Sequence, residues 1–223
     1  MGRVRKNGRN AVTGHPLAGK IQQGGTWKAP RDADPGSAPG GPGFGDMIEA
    51  LRVLQDTVTG AAPPPEIVEE TTRTLRDLSA VLASHTVPER EQVVGHRMDL
   101  PGRGQALVPA FLPVEWDDSR VSGRVTFGRH YLGGNGAVHG GAIPLLFDEV
   151  LGRLASSGRT ICRTAYLHVN FRRITPVGVE LRLEAAFERD EGRKRVLTAA
   201  LYDGDHVTAD AEGLFIALRP GQP

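Results

Sequence analysis

The apolar residues of this chain follow two different periods, one helical and one typical of strands. From about residue 105 onward, apolar and polar residues alternate in short runs separated by turn-forming residues, which predicts half-buried strands. One segment of helical period interrupts these runs at about 139–156. We therefore expect an α+β fold in which one long helix packs against a curved antiparallel sheet. The expected strands lie at about 105–111, 121–127, 160–173, 179–189, 195–203 and 206–218.

The links between the later strands are short and rich in turn residues, at 175–178, 190–192 and 203–205. Short links favour antiparallel pairing of the strands that they join. We therefore expect the four last strands to be neighbours in chain order. The glycine-rich run at 133–136 is expected to be a loop, because it has no apolar period.

Two helical patterns precede the first strand. The first covers about 45–57, with Met47, Leu51 and Leu54 at helical spacing, and the second covers about 65–84, directly after a run of prolines. We expect residues 45–86 to form a helical hairpin packed on a main domain that spans 87–223. The apolar face of the second helix would contain Ile67, Leu75, Leu78, Val81 and Leu82.

Residues 1–44 are rich in Gly, Pro and Arg and have little hydrophobic periodicity, so we expect a disordered basic arm. The alternative is an electrostatic tether or a transit peptide, because the first 31 residues contain no Asp or Glu. The arm has neither the apolar core of a signal peptide nor an amphipathic stripe. This favours the simpler interpretation.

The overall composition narrows the function classes. The net charge is +1, so nothing global indicates nucleic-acid binding, and no apolar run approaches the length of a membrane helix. The single cysteine, Cys162, excludes a disulfide within the chain and fits a reducing compartment, so we expect a cytoplasmic protein. Cys162 lies among strand-forming residues and is expected to be a small core residue.

The helix at 139–156 has one broad apolar stripe, which the sheet would cover. At about 100° per residue, Asp148 lies roughly 130° from the centre of that stripe and therefore points away from the core of its own subunit. The stripe consists of Ile143, Leu146, Phe147, Val150, Leu151 and Leu154.

Gly140 and Gly141 lie at the expected start of this helix, where backbone N–H groups lack partners and a ligand can approach closely. Such an end suits an anionic oxygen, for instance the oxyanion that forms when water attacks a thioester. A carboxylate such as Asp148 could activate that water without a metal ion. The alternatives are that the glycines only cap the helix, that His139 is structural and that Asp148 is simply solvated.

The segment from Val138 to Ile143, followed by Asp148 and Gly152, resembles the H-G-G-x(6)-D-x(3)-G signature of hotdog-fold acyl-CoA thioesterases. The branch it resembles most contains the phenylacetyl-CoA and mammalian Them4-like thioesterases. The resemblance covers about residues 105–218 and implies a hotdog fold. The helical extension and the basic arm lie outside it.

The resemblance also implies roles for individual residues. Asp148 would activate water or attack the thioester, and Gly141 together with Gly140 would supply the N–H groups of an oxyanion hole. His139 would shape the loop, and Thr164 would help to hold the attacking water.

The resemblance further implies contacts with coenzyme A and with the acyl group. The strand segment that would lie along coenzyme A comprises Asn170, Phe171, Arg172 and Arg173, where arginine suits phosphate. Asn135 is a further candidate for binding, and Leu145 would line the acyl tunnel.

The chain departs from the family pattern at two positions. Ile174 stands where the family often has proline, with the proline delayed to Pro176, which puts the coenzyme contacts in question. Gly133 stands where phenylacetyl-type members carry an asparagine, and Asn135 is offset from that place by two residues. The Them4-like branch also lacks that asparagine.

The expected function is hydrolysis of an acyl-CoA to the free acid and coenzyme A, within fatty acid metabolism. Coenzyme A would enter only as part of the substrate, and no metal or redox cofactor is expected. The family is generally dimeric, which implies a homodimer or a dimer of dimers with each site built from two subunits.

Two other functions are compatible with the same fold. The first is a non-catalytic acyl-CoA-binding or regulatory protein, which would need neither Asp148 nor Thr164. The second is hydration of an enoyl-CoA, which is disfavoured because no Asp-x-x-x-x-His arrangement occurs near the helix start.

Overall fold

The computed structural model of the protein describes residues 38–222. It has three helices, which are α1 (Phe44–Gly60), α2 (Pro65–Ala83) and α3 (Ala142–Ser156). The first four strands are β1 (Leu112–Trp116), β2 (Arg120–Thr126), β3 (Leu132–Gly134) and β4 (Ala137–Val138). The last four are β5 (Cys162–Phe171), β6 (Glu180–Glu191), β7 (Lys194–Asp203) and β8 (His206–Ala217).

Six strands form one antiparallel sheet in the order β1-β2-β6-β7-β8-β5, and β3 pairs with β4 in a separate hairpin. Helix α3 packs against the sheet through its apolar stripe, whose six residues are at most 2% exposed. Burying a leucine or phenylalanine side chain contributes about 1.5–3 kcal/mol, so this stripe is a main source of the domain's stability. The predicted long helix on an antiparallel sheet is confirmed.

The first expected strand is wrong in position. The strand expected at 105–111 is irregular chain, and β1 begins only at Leu112. Pro109 has no N–H to donate to a ladder, and Leu107 is exposed while Phe111 is buried. The alternation of Leu107, Pro109 and Phe111 therefore does not mark a strand.

Strands β5 and β6 are not neighbours, contrary to the expectation from their short connection. Strand β5 pairs with β8 at the edge of the sheet, and β6 lies between β2 and β7. The connecting residues instead hold the β3–β4 hairpin: Val138 N–H donates to Thr175 O at 2.8 Å, and Val177 N–H donates to Gly136 O at 2.9 Å. Turn-forming residues can thus connect two strands that are not neighbours in the sheet as well as the two strands of a hairpin.

The glycine-rich run that was expected to be a loop contains the tip of the β3–β4 hairpin. Asn135 and Gly136 both have positive φ, of 49° and 77°, which is the conformation of a two-residue type I′ turn. The turn explains why the run has no apolar period although part of it pairs.

Helix α1 packs on the domain, but through a face other than the expected one. Phe44 and Ile48 are buried, while Met47 and Leu51 are exposed. Asp56 accepts hydrogen bonds from the backbone N–H and from the ring of His130, at 3.0 and 2.5 Å. The helix therefore attaches through a mixed apolar and polar face.

Helix α2 has no buried residue, so it does not complete the expected packed hairpin. Its apolar face remains accessible, and the exposed residues include Ile67, Val68, Leu75, Leu78, Val81 and Leu82. Within residues 38–222, no helix is long and apolar enough to cross a membrane.

The expected disordered arm, residues 1–44, falls outside the described residues up to position 37. At its end, the carbonyl oxygens of Pro39 and Gly41 accept hydrogen bonds from Arg97, which itself is bidentate on Asp99. Residues 38–44 are thus attached to the domain.

Candidate active site

Asp148 and Thr164 form the centre of the candidate site. Asp148 lies on the flank of α3 that the apolar stripe leaves free, and Thr164 lies near the start of β5. The Thr164 hydroxyl donates a hydrogen bond of 2.8 Å to Asp148 Oδ1. The structure therefore brings together two residues that the sequence had singled out separately.

A β-bulge in β5 determines where Thr164 points. Thr164 pairs with Phe215 and Tyr166 pairs with Leu214, so Ala165 is an extra residue without a partner of its own. Cys162 and Thr164 lie on the helix side before the bulge. After it, the inward residues are Leu167 and Val169, which pack on the core. The period of two therefore changes phase immediately after the threonine.

An open cleft of about 610 Å³ adjoins this pair. Asp148, Gly152 and Ser156 follow one another at intervals of one helical turn along its α3 wall. A methyl group on Gly152 would meet only Phe215, at an ordinary contact distance of 3.5 Å. Because Gly152 has no side chain, the cleft stays open next to Asp148. The apolar side chains of the cleft are Met98, Trp116, Ile161 and Phe215, with buried Cys162 behind them.

An ion pair that the sequence analysis missed borders Asp148. Arg103 donates two hydrogen bonds of 2.8 Å, one to each carboxylate oxygen of Glu149. Sequence spacing could not reveal this pair, because the residues are 46 positions apart. The one available signal was Gly-Arg-Gly at 102–104, a sequence in which the glycines favour unusual backbone angles.

The loop before α3 is already engaged in part. His139 Nδ1 accepts a hydrogen bond of 3.0 Å from the Gly141 N–H, so the ring must present an unprotonated Nδ1. Among residues 38–222, no acceptor pairs with the Gly140 N–H. Of the two glycines that the sequence proposed for an oxyanion hole, Gly140 is thus the one whose N–H is without an acceptor among these residues, while the Gly141 N–H is bonded to His139. The helix begins at Ala142 and not at His139 as expected.

Gly133 packs too closely on His139 to carry a side chain. A Cβ at Gly133 would lie 2.8 Å from the His139 Cα. The asparagine found at this place in phenylacetyl-type members would therefore force β3 away from the backbone of Val138 and His139.

The glycine loop and Asp148 lie far apart along α3. Asp148 is seven residues beyond Gly141, the residue that caps the helix, which corresponds to about 10 Å of helix axis. A thioester carbonyl must lie within about 3 Å of its oxyanion donors. A carbonyl and its attacking water would have to span nearly the whole of that separation to reach Gly140 and Asp148 of one chain.

The residues that were expected to bind coenzyme A divide between two faces of β5. Asn170 and Arg172 both donate to Asp210 on the outer face, and the Arg172 hydrogen bond lowers the pKa of Asp210 against the opposing effect of burial. Phe171 points the other way, and a methyl group on Gly140 would lie 3.9 Å from its ring. Strand alternation explains the split.

The remaining candidates lie nearer the glycine loop or the adjoining turns. Arg173 is exposed, and no ion pair to it is found among residues 38–222. Asn135 is exposed at the hairpin tip, and Leu145 is half-buried in the first turn of α3. Exposed Ile174, where the family has proline, adjoins Arg173. The expected binding roles of Arg173, Asn135 and Leu145 therefore stay predictions.

The comparisons with known proteins agree with this geometry. The model of the thioesterase superfamily matches residues 135–209, which include the glycine loop, Asp148 and Thr164. The chain is therefore similar to that superfamily over residues 135–209. Its long helix on an antiparallel sheet is thus the hotdog fold that the sequence predicted.

Curated relatives are similar to part of the chain at about one third identity. Acyl-coenzyme A thioesterase THEM4 of Rattus norvegicus is 33% identical over 98 residues, 43% of this chain and 42% of the relative. The Bos taurus protein of the same name is 32% identical over 106 residues, 47% of this chain and 44% of the relative. The chain therefore matches less than half the length of these curated relatives.

A solved structure extends the likeness beyond the thioesterase-superfamily match. Protein RHA08564, described as a thioesterase superfamily protein, superimposes with a TM-score of 0.68 at 26% identity. The match covers 78% of this chain and 90% of that one, so it reaches well upstream of residue 135.

Proposed function

We propose that the protein hydrolyses an acyl-CoA thioester to the free acid and coenzyme A. The observation that carries this proposal is the hydrogen bond from Thr164 to Asp148 beside an open cleft. Two polar groups joined in this way on the free flank of a core helix are poised to hold and activate a water molecule. The similarity to acyl-coenzyme A thioesterases supports the choice of substrate.

In the proposed reaction, Asp148 accepts a proton as water attacks the thioester carbonyl carbon. The new C–O bond forms, and the carbonyl oxygen becomes an oxyanion that the Gly140 N–H stabilises. The C–S bond then breaks, and the proton held by Asp148 passes to the departing coenzyme A sulfur. Thr164 holds the carboxylate in one orientation, because its hydroxyl is bonded to Oδ1.

We infer that two chains combine to make each site. The separation of about 10 Å along α3 between the loop and Asp148 is long for one carbonyl and its water to span, which supports a site shared between chains. A two-fold pair of α3 helices would bring the loop of one subunit to Asp148 of the other, and symmetry would create two equivalent sites.

The test is release of free thiol from a panel of acyl-CoAs, from acetyl to palmitoyl and including phenylacetyl-CoA. We expect turnover by the wild type and a fall of at least a hundredfold for Asp148→Asn, because the base is lost. Absence of wild-type turnover, with binding still detected by thermal shift, would support the acyl-CoA-binding alternative. Consumption of the double bond of an enoyl-CoA would instead support hydration.

Mixed dimers test the shared site. Gly140→Pro removes the N–H, whereas Gly140→Ala keeps it and fits the available space, so Ala serves as the control. Refolding Asp148→Asn together with Gly140→Pro should recover about a quarter of the wild-type activity, because half of the dimers would have one intact site. No recovery, with mixed dimers demonstrated, would contradict a site built from two chains.

A further inference from the structure

The Arg103–Glu149 pair lies next to the proposed base and is supplied in part from outside the thioesterase-superfamily match. Glu149 follows Asp148 in α3, and its side chain is only 8% exposed. Arg103 belongs to a tight turn at 101–104, upstream of β1. The bidentate geometry is the strongest form of arginine–carboxylate contact.

The backbone of this turn has an unusual conformation, which directs the Arg103 side chain towards Glu149. Gly102, Arg103 and Gly104 have φ angles of 59°, 57° and 73°, so all three lie in the left-handed region. Glycine adopts this region readily, whereas arginine does so only at a cost in backbone strain. The hydrogen bonds to Glu149 offset that cost.

Helix α1 holds the turn in place. The Arg52 guanidinium donates to Pro101 O at 3.2 Å and to Gln105 O at 2.5 Å, one on each side of Arg103. Helix α1 thus contacts the turn through Arg52. The turn itself contacts Glu149, the residue after Asp148, through Arg103.

The charged side chains around Asp148 indicate what the Arg103–Glu149 ion pair contributes to the site. Besides Glu149, the charged side chains that line the cleft are Arg103 from the turn, Arg153 from α3 and Arg163 from β5, and the titratable Cys162 adjoins them. Hydrogen bonding to Glu149 raises the pKa of Arg103 against the effect of burial, and the charge of Asp148 raises it further. Arg103 therefore interacts with both carboxylates.

We propose that Arg103 is a positioning residue of the site: through its bidentate ion pair it compensates the negative charge of Glu149, the residue next to Asp148. This inference rests on the proposed hydrolysis. Without Arg103, a nearly buried negative charge would stand beside Asp148 and oppose its ionisation, as two neighbouring carboxylates do. Helix α1, which holds the turn through Arg52, thereby supports the site from outside the thioesterase-superfamily match.

The test compares Arg103→Met, Glu149→Gln and the double variant with wild type. Hydrolysis requires ionised Asp148, so kcat/KM rises with pH along an acid limb. We expect Arg103→Met to move that limb to higher pH by about one unit, which lowers kcat about tenfold on the limb and leaves KM nearly unchanged. Glu149→Gln should move the limb the opposite way, because it leaves Arg103 unneutralised.

The double variant should return the limb close to the wild-type position, which a merely structural role would not do. Arg124→Met with Glu180→Gln is the matched control, since it removes an exposed ion pair of 3.5 Å outside the cleft. The melting temperature shows whether Arg103→Met folds. If it does not fold, the proposal is tested by whether Glu149→Gln moves the acid limb to lower pH.

If the wild type is active and the acid limb of the variants stays where it is in the wild type, the proposed role of Arg103 is overturned. The proposed hydrolysis would still stand. A double variant as displaced as Arg103→Met would overturn the role of Arg103 as well. A wild type that releases no thiol would instead overturn the proposed hydrolysis.

Discussion

Thr164 and Asp148 lie sixteen positions apart in the chain and are joined by a hydrogen bond of 2.8 Å from the threonine hydroxyl to the carboxylate. The bond connects β5 to the exposed flank of α3. Among residues 38–222, the bond engages Asp148 Oδ1, and no donor pairs with Oδ2.

Removing the Thr164 hydroxyl should impair hydrolysis. We expect Thr164→Val to lower kcat/KM about tenfold, because a hydrogen bond of this kind contributes about 1 kcal/mol or somewhat more. The measurement is thiol release under conditions of excess substrate. Thr164→Ser keeps the hydroxyl and should retain most activity, and a Val variant equal to wild type would exclude Thr164 from the site.

The two N-terminal helices should differ in their contribution to stability. Ile48→Ala, in α1, should lower the free energy of unfolding by about 2–5 kcal/mol, because it leaves a cavity in a buried contact. Val81→Ala, on the exposed face of α2, should change it by less than about 0.5 kcal/mol. Urea unfolding measures both. A large loss for Val81→Ala would mean that α2 is covered in solution.

The two neighbouring arginines at the end of β5 should differ in substrate binding. Arg172 is held by Asp210, whereas Arg173 is exposed and free of ion pairs among residues 38–222. We expect Arg173→Gln to raise KM for an acyl-CoA about fivefold or more, since a phosphate contact is lost. Arg172→Gln should raise KM less, and the reverse order would assign the phosphate contact to Arg172.

Asp117 should titrate unusually low. Hydrogen bonds from the Ser119 hydroxyl and backbone, with those from Arg120, lower its pKa from 3.8 to about 2. Because the folded pKa is depressed, this carboxylate contributes stability above pH 3.8 that is lost as the pH falls towards 2. A carboxyl NMR titration, assigned with Asp117→Asn, measures the value. A pKa near 3.8 would show that the β1–β2 turn is open.

The sequence predicted the parts of the fold that depend on local periodicity. The apolar stripe of α3 and the strands β6 to β8 follow directly from the spacing of residues such as Leu181 and Leu183. Asp148 was placed outside the core by helix geometry alone. Thr164 required the family resemblance, because nothing in its immediate sequence distinguishes it.

Features that depend on distant pairing were not predictable in the same way. The position of β5 beside β8 arises from a crossover whose turn residues resemble those of a hairpin. The exposure of α2 follows from the lack of a partner surface, since an amphipathic pattern shows only which face can be buried. Arg103 depends on a long-range ion pair with Glu149.

The unpaired Ala165 in β5 has a consequence for how this chain tolerates changes in length. Deleting that one residue would restore regular pairing with β8 and would leave Thr164, Leu167 and Val169 all on the inward face. Among homologous chains, a gap of one residue at this position would therefore be compatible with the same hydrogen bond and the same core.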